Sequence, residues 1–401
     1  MLRLNSADRE MLSGNCGEAA QFAMRMLFDI GEAFGADEFV DIEWAHVAGA
    51  YCQTRANVDF AAQLTRWNAR VAVPTTLTAC SLDMQSPSLQ DSSARDLVRA
   101  YEAMGCEPVL SCSPYHTRDE PGPGAHVAWC ESSAVVFANS VLGARTNCYP
   151  EFMDMCAAIT GRVPRFGMHA DENRKATLRI DVRDIPLQWF DDAWLFQSLG
   201  ILVGKQAGRQ VPVITGLPRS TKLEQLRALG SAAASAGSLL MFHVPELTPE
   251  APSLDAATHG EAVNATFVIE AADIRAAAAA LCSNTTEPVA AVCVGAPHFS
   301  TEEFGELARL FDGRRSQLPF IAATSGAVLT RLDRSGLLVS LQESGVRFVT
   351  GRCTYYRPAV DGVGGHVMTN SAKWAWYAPA GLGVAVTFAS LEDCVARAVD
   401  G

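Results

Sequence analysis

Six short apolar runs punctuate the second half of the chain, and helical stretches separate most of them. The runs are VPVITG (211–216), SLLMFHV (238–244), PVAAVCVG (288–295), LPFIAA (318–323), VRFVTG (346–351) and VAVTFA (384–389). The spacing predicts helices over 222–236, 271–281 and 301–311, the last opened by Ser300 with Glu303 as a capping box. A run that is apolar without alternation buries both faces, as strands do in a parallel sheet covered by helices. The polar turn and strand expected over 169–182 begin the same pattern. The expected fold class is α/β, with several parallel or mixed sheets flanked by helices. At 401 residues the chain exceeds one ordinary domain. Two or three lobes are expected, here 1–165, 166–285 and 286–401. Ligands of such folds bind beyond the carboxyl ends of strands.

The first lobe is less regular. Asn5 or Ser6 can cap a first helix, continued by Phe22, Met26, Ile30 and Phe34 and ended by Gly35. FVDIEWAHVAG (39–49) reads as a strand running into a loop, with His46 and Gly49 at its end. A helix follows near 57–69, then a strand RVAVP (70–74) that ends in Thr75 and Thr76, a pair that caps a turn or binds a carboxylate. A helix over 96–104 leads to a strand EPVLSC (107–112) and on to Ser113. TRDEPGPG (117–124) is a surface loop by composition. In 126–143, Glu131, Ser132 and Ser133 sit at a helix start, where capping alone explains them.

Residues 138–164, ANSVLGARTNCYPEFMDMCAAITGRVP, read as a helix end, a polar turn and a new helix. Gly143 ends the first, Pro150 opens the second, and Gly161 and Pro164 close it. Arg145, Thr146, Asn147 and Cys148 crowd the turn with side chains that donate, accept or ligate. A satisfied interhelical loop and a functional turn both fit that spacing.

Hydrophobic residues make up 49% of the chain and charged residues 19%, which suits a large core. A net charge of −12 argues against nucleic-acid and membrane-surface partners, both of which need a basic footprint. No signal peptide or membrane span is expected, so the expected compartment is the cytoplasm. Its twelve cysteines are then expected as thiols. Without a C-x-x-C pair, a metal site has to gather cysteines from distant loops.

AHVAG (45–49), VAVPTTL (71–77), AMGCEPVLSCSPY (103–115), AWCESSAVVFANSVLGARTN (128–147), AAITGRVP (157–164), HADENRKA (169–176), PHFS (297–300) and MTNSAKWAWYAPA (368–380) together resemble the large subunit of aconitase X, over nearly the whole chain. The resemblance implies an aconitase-like large subunit and a hydro-lyase that uses an iron–sulfur cluster, two-iron or four-iron, as Lewis acid. It implies a small hydroxy acid as substrate, cis-3-hydroxy-L-proline in bacterial members or mevalonate 5-phosphate in archaeal ones, and the bacterial form is the nearer. It also implies a separate small, swivelling subunit that supplies a catalytic serine. Three cysteines leave one iron open, whereas four would saturate the cluster. The expected ligands are Cys148, Cys353 and Cys293, the last standing in because Ala296 occupies a position where the archaeal branch has cysteine. The implied catalytic residues are Glu131, Ser132, Arg145, Lys373 and His46. Thr75, Thr76, Ser113, Asn139 and Asn370 are the expected hydrogen-bonding partners of the substrate. Two other readings fit the same residues: dehydration of a different, phosphorylated hydroxy acid, and a metal-free binding protein on the same fold.

Overall fold

The computed structural model describes residues 2–48, 54–86 and 92–401. Strand β1 (Phe39–Asp41) pairs antiparallel with β5 (Arg162–Pro164). The remaining sheets are parallel. β2 (Trp44–Val47) lies between β3 (Thr75–Leu77) and β4 (Val127–Trp129). β6 (Leu178–Asp181) lies between β7 (Pro212–Thr215) and β8 (Ala265–Val268). The largest sheet runs β11 (Val346–Thr350), β10 (Phe320–Thr324), β9 (Ala291–Val294), β12 (His366–Thr369), β13 (Ala385–Phe388). Parallel neighbours need crossover connections, and helices supply most of them.

Alternation along β9 separates two cores. Ala291 and Cys293 pack with Ile321 and Val367 on one side of the sheet, Val292 and Val294 with Phe320 and Met368 on the other. This is the two-faced burial expected of an unbroken apolar run. Four of the six runs become strands of this sheet or, for β7, of the three-stranded one beside it, and a fifth completes the edge at β13. SLLMFHV does not: residues 238–244 make only an isolated bridge, Val213 to His243. β8 and β12 carry no continuous apolar run and were not expected.

The first lobe departs further from expectation. The single first helix is two, Ser6–Ser13 and Glu18–Ala33, because Gly14 ends the first in a left-handed turn at φ 87°. Residues 39–49 hold two short strands rather than one, and Gly49 lies outside the described residues. The strand expected at 70–74 begins instead at Thr75, one residue past Pro74, which has no N–H for a ladder. Residues 107–112 make only one bridge, Thr76 to Glu107, and Leu110 has φ 45°. Pro150 does not open the second helix of the central turn, which starts at Met153 after Phe152 at φ 75°. The Ser300–Glu303 capping box is present as expected. Among the described residues no helix is long and apolar enough to cross a membrane.

Helices Ala193–Ala207 and Leu223–Gly237 cross at glycines. A Cβ on Gly204 would sit 2.4 Å from the Ala233 carbonyl oxygen, and one on Gly200 2.4 Å from that of Leu229. These backbones touch where no side chain fits. Gly204→Val should therefore force the helices apart and cost about 3 kcal/mol or more, read as a lowered urea midpoint. An unchanged midpoint would mean that the crossing yields without strain.

Candidate active site

A cavity of about 280 Å³ opens beyond the carboxyl ends of β2, β3, β4, β11 and β12. Ala48 follows β2, Thr78 follows β3, and Cys130, Glu131 and Ser132 follow β4. Cys148, Tyr149, Pro150 and Glu151 come from the polar turn, Tyr355 and Tyr356 from the loop after β11, and Lys373 and Tyr377 from the helix after β12. The cavity lies where the strand-end rule expects a ligand, although neither Cys293 nor Cys353 lines it. Backbone contacts hold the two sheets in place around it: Cys80 N donates to Gly351 O at 2.7 Å and Met84 N to Thr350 O at 3.0 Å.

Glu131 caps the helix Ser132–Phe137, and Lys373 lies in the first turn of the helix Ala372–Leu382. Lys373 Nζ donates to Glu131 Oε1 at 2.6 Å and stands 3.5 Å from Ser133 Oγ. The lysine side chain is 4% exposed and the glutamate 15%. Burial alone would raise the glutamate's pKa and lower the lysine's. The pairing outweighs it in both, so Glu131 lies below the usual carboxylate range and Lys373 above the usual lysine range. Both charges persist at neutral pH. The glutamate's contribution is lost as pH falls through its lowered pKa, and the lysine's only as pH rises through its raised one.

His46 is fully buried on β2. Its Nδ1 is 2.8 Å from Thr76 Oγ1, which also accepts from Trp44 Nε1 at 3.0 Å. Burial pushes the imidazole down to about 4, and the nearby Glu131 charge only partly offsets this. His46 is therefore neutral at physiological pH. Asp154, which the sequence did not single out, accepts from Ala48 N at 2.6 Å and so fixes the end of β2 at the cavity. Its burial raises the carboxyl to about 7.

The thiols fall into three places. Cys130 and Cys148 line the cavity, and Cys148 Sγ donates to Cys130 O at 3.3 Å. Cys353 and Cys112 form a thiol–thiol hydrogen bond, which lowers Cys353 below the usual thiol range despite burial. Cys112 Sγ also accepts from His298 N at 3.2 Å. Cys293 belongs to neither group. It is an interior residue of β9, wholly buried and opposite Ile321, in the apolar core. The structure does not bring it to the cavity, because the strand ends one residue after it and its side chain faces inward. Among the described residues no three His, Cys, Asp or Glu side chains converge closely enough to hold a metal ion as placed.

Several other expected residues are engaged elsewhere. Arg145 turns away from the cavity to pair with Asp171 and to donate to His169 O at 3.4 Å. Asn139 is buried under the turn, where Nδ2 donates to Thr146 O and Leu240 O, both at 2.9 Å, and Oδ1 accepts from Thr146 N. Thr75 Oγ1 donates back to Val73 O at 2.9 Å. Ser113 is buried beside Ser111 and Tyr115. Asn370 lines a separate cavity of about 20 Å³ with Gln197 and Arg227. Ser132 does line the main cavity. The tyrosines, Thr78 and Glu151 also line it and were not among the expected residues. Position after a strand could have found Thr78; Tyr149 and Glu151 lie in the polar turn and Tyr377 inside a helix.

Three family models cover most of the chain: the aconitase X first domain over residues 1–172, the second over 176–279 and the third over 289–400. The chain belongs to the aconitase X family. It is 40% identical over 410 residues to a cis-3-hydroxy-L-proline dehydratase of Pseudomonas aeruginosa, a match that spans 100% of this chain and 70% of the relative. A phosphomevalonate dehydratase large subunit of Methanothermobacter thermautotrophicus is 34% identical over 387 residues, 94% of each chain. The crystal structure of Thermococcus kodakaraensis aconitase X in its holo-form superposes with a TM-score of 0.88 at 30% identity, covering 99% of this chain and 100% of that one. These relatives are dehydratases, which places the family among the hydro-lyases.

Removing Lys373 strands a buried carboxylate. Lys373→Met should cost about 3–5 kcal/mol, and Glu131→Gln in the same chain should recover most of that loss in urea unfolding. Full additivity of the two substitutions would show that the pair does not interact. His46 gives a pH signature: the unfolded imidazole takes a proton below its ordinary pKa of 6.5, the folded one only near 4. Across that window the wild type should lose stability relative to His46→Gln at about 1.4 kcal/mol per pH unit. Parallel stability–pH curves for the two proteins would exclude this.

Proposed function

We propose that this chain is the large catalytic part of an iron–sulfur hydro-lyase that dehydrates cis-3-hydroxy-L-proline to Δ1-pyrroline-2-carboxylate. The observation that carries the reading is the Glu131–Lys373 ion pair in a cavity whose walls also present thiols. The similarity to the Pseudomonas enzyme over the whole chain supports the substrate.

The donors fit an iron–sulfur group in part. Cys112 and Cys353 are in contact, and Cys353 is shifted toward thiolate, the form that binds iron, while burial pushes the Cys112 and Cys148 thiols the other way. Cys148 shares the electrostatic field of Glu131 and Lys373 with Cys353 and is the third thiol of the proposed set. Cys112 replaces Cys293 in that set. The group, when bound, supplies a Lewis-acidic iron for the departing hydroxyl. The chain's own residues do the rest. Lys373 keeps its proton and directs its N–H bonds, beyond the one given to Glu131, at the substrate's carboxylate or leaving oxygen. Glu131 holds the ammonium in that direction, with Ser133 beside it. His46, neutral on β2, keeps Thr76 and Trp44 in register beneath the cavity. A small swivelling partner would close the cavity and contribute the base.

Iron and acid-labile sulfide per chain after anaerobic purification test this proposal. Wild type should carry both. Cys112→Ser, Cys353→Ser and Cys148→Ser should each lose them, and Cys293→Ser should keep them. Absence of iron from reconstituted wild type would sink the Lewis-acid mechanism. Loss in Cys293→Ser with retention in Cys112→Ser would return the third position to β9.

A further inference from the structure

The charged side chains among the described residues that line the cavity are Glu131, Glu151 and Lys373, two carboxylates against one ammonium. The ammonium is held by Glu131 at 2.6 Å. Glu151 is oriented at the wall by Asn57, whose Nδ2 donates to Oε2 at 2.8 Å. Beside these charges stands an aromatic surface. Tyr355 and Tyr377 stack with centroids 5.6 Å apart and 20° between planes, and Tyr356 lies 4.5 Å from Tyr355. Tyrosine faces attract cations, and the more so where water is excluded. A phosphate dianion would require arginines or several lysines to replace its hydration. Among the described residues Lys373 is the one such cation in this lining; Arg352 and Arg357 line a neighbouring cavity on the far side of Tyr356.

We propose that Glu151 and the Tyr355–Tyr356–Tyr377 wall form a subsite for the ring ammonium of a cyclic amino acid, and that this subsite selects such a substrate against phosphorylated hydroxy acids. An α-amino acid brings one ammonium and one carboxylate. The ammonium meets Glu151 and the ring faces, and the carboxylate is left for Lys373. The ammonium and the carboxylate share one carbon, and this orientation turns each toward a group of opposite sign, which a substrate without nitrogen cannot exploit. The inference deepens the dehydratase reading and rests on it for the identity of the cavity's occupant.

Two probes separate the ammonium from the rest of the ring: L-proline, and tetrahydrofuran-2-carboxylate, in which oxygen replaces the N–H group. Both are titrated calorimetrically into the iron-reconstituted chain with its small partner, so that binding is read independently of turnover. Wild type should prefer L-proline by about 10-fold or more. The preference should fall to within about 3-fold in Glu151→Gln and in Tyr377→Leu, and it should return in Tyr377→Phe, which keeps the ring face. Equal binding of the two probes by wild type would overturn the proposal, as would a preference unchanged in both Glu151→Gln and Tyr377→Leu. If wild type selects L-proline yet does not dehydrate cis-3-hydroxy-L-proline, the dehydratase reading fails and the ammonium subsite stands.

Discussion

Burying a lysine is among the more expensive things a fold can do, and the cost is recovered only if a carboxylate meets it in good geometry. Glu131 and Lys373 are 242 residues apart and belong to different sheets. Glu131 is presented by the strand β4 and the helix it caps, Lys373 by the turn after β12. Neither half of the chain can satisfy its own charge. The pair therefore acts as a check on assembly: docking the three-stranded sheet against the five-stranded one is favourable in the single arrangement that lets Nζ reach Oε1. The cavity exists because that arrangement leaves the carboxyl ends of both sheets facing the same space. Contacts that carry no charge, such as Cys80 N to Gly351 O, fix the remaining freedom.

The second half of the fold was largely legible, because its strands are buried on both faces and leave an unbroken apolar signal. β9, β11 and β13 fall within the expected runs, and β10 overruns its own by one residue, Thr324. β12 did not announce itself. It contains His366, Met368 and Thr369 between glycines and Asn370, yet it sits in the interior of the sheet. His366 is accommodated there by Glu287 O and Thr387 Oγ1, at 2.7 and 2.8 Å. That compensation is tertiary, so no local pattern encodes it. SLLMFHV erred in the opposite direction. Its residues are as apolar as any strand, but they fill space against the helical segment 132–142, where Ser140 Oγ accepts from Phe242 N at 2.9 Å. An apolar run reports burial, and burial is compatible with more than one backbone course.

At the site, the residues that were legible and the residues that were misplaced differ by one physical property. Glu131, Ser132, Cys148 and Lys373 all follow strand ends or turns, and of their side chains Cys148 alone bonds a backbone group there, Cys130 O. Arg145 and Asn139 sit in equally polar surroundings, but each has a structural task within reach. Asn139 satisfies the backbone of a helix end widened by one residue, and Arg145 pins the 167–173 segment through Asp171. Arg174, which the sequence did not single out, does the same work more thoroughly, with Nη2 donating to the carbonyls of Asn139 and Ala144 and Nε to Glu250. A crowded polar turn thus divides into groups consumed by the fold and groups left over. Sequence shows the crowd and cannot show the division, because the partners come from distant segments.

The same division bears on how one scaffold accommodates two substrate classes. In the cavity the cation is already spoken for by a carboxylate of the chain, so the lining offers an incoming ligand more negative than positive charge. The Coulomb energy of a polyanion in such a space is unfavourable unless extra cations are added, while a zwitterion can distribute its charges across the existing ones. A change of substrate class then need not touch the Glu131–Lys373 pair, on which assembly depends, or the strands that carry it. It needs only wall positions such as Tyr377, on the helix after β12, whose ring stacks on Tyr355. Separation of the residues that build the cavity from those that read the ligand is what allows recognition to vary while the sheets stay fixed.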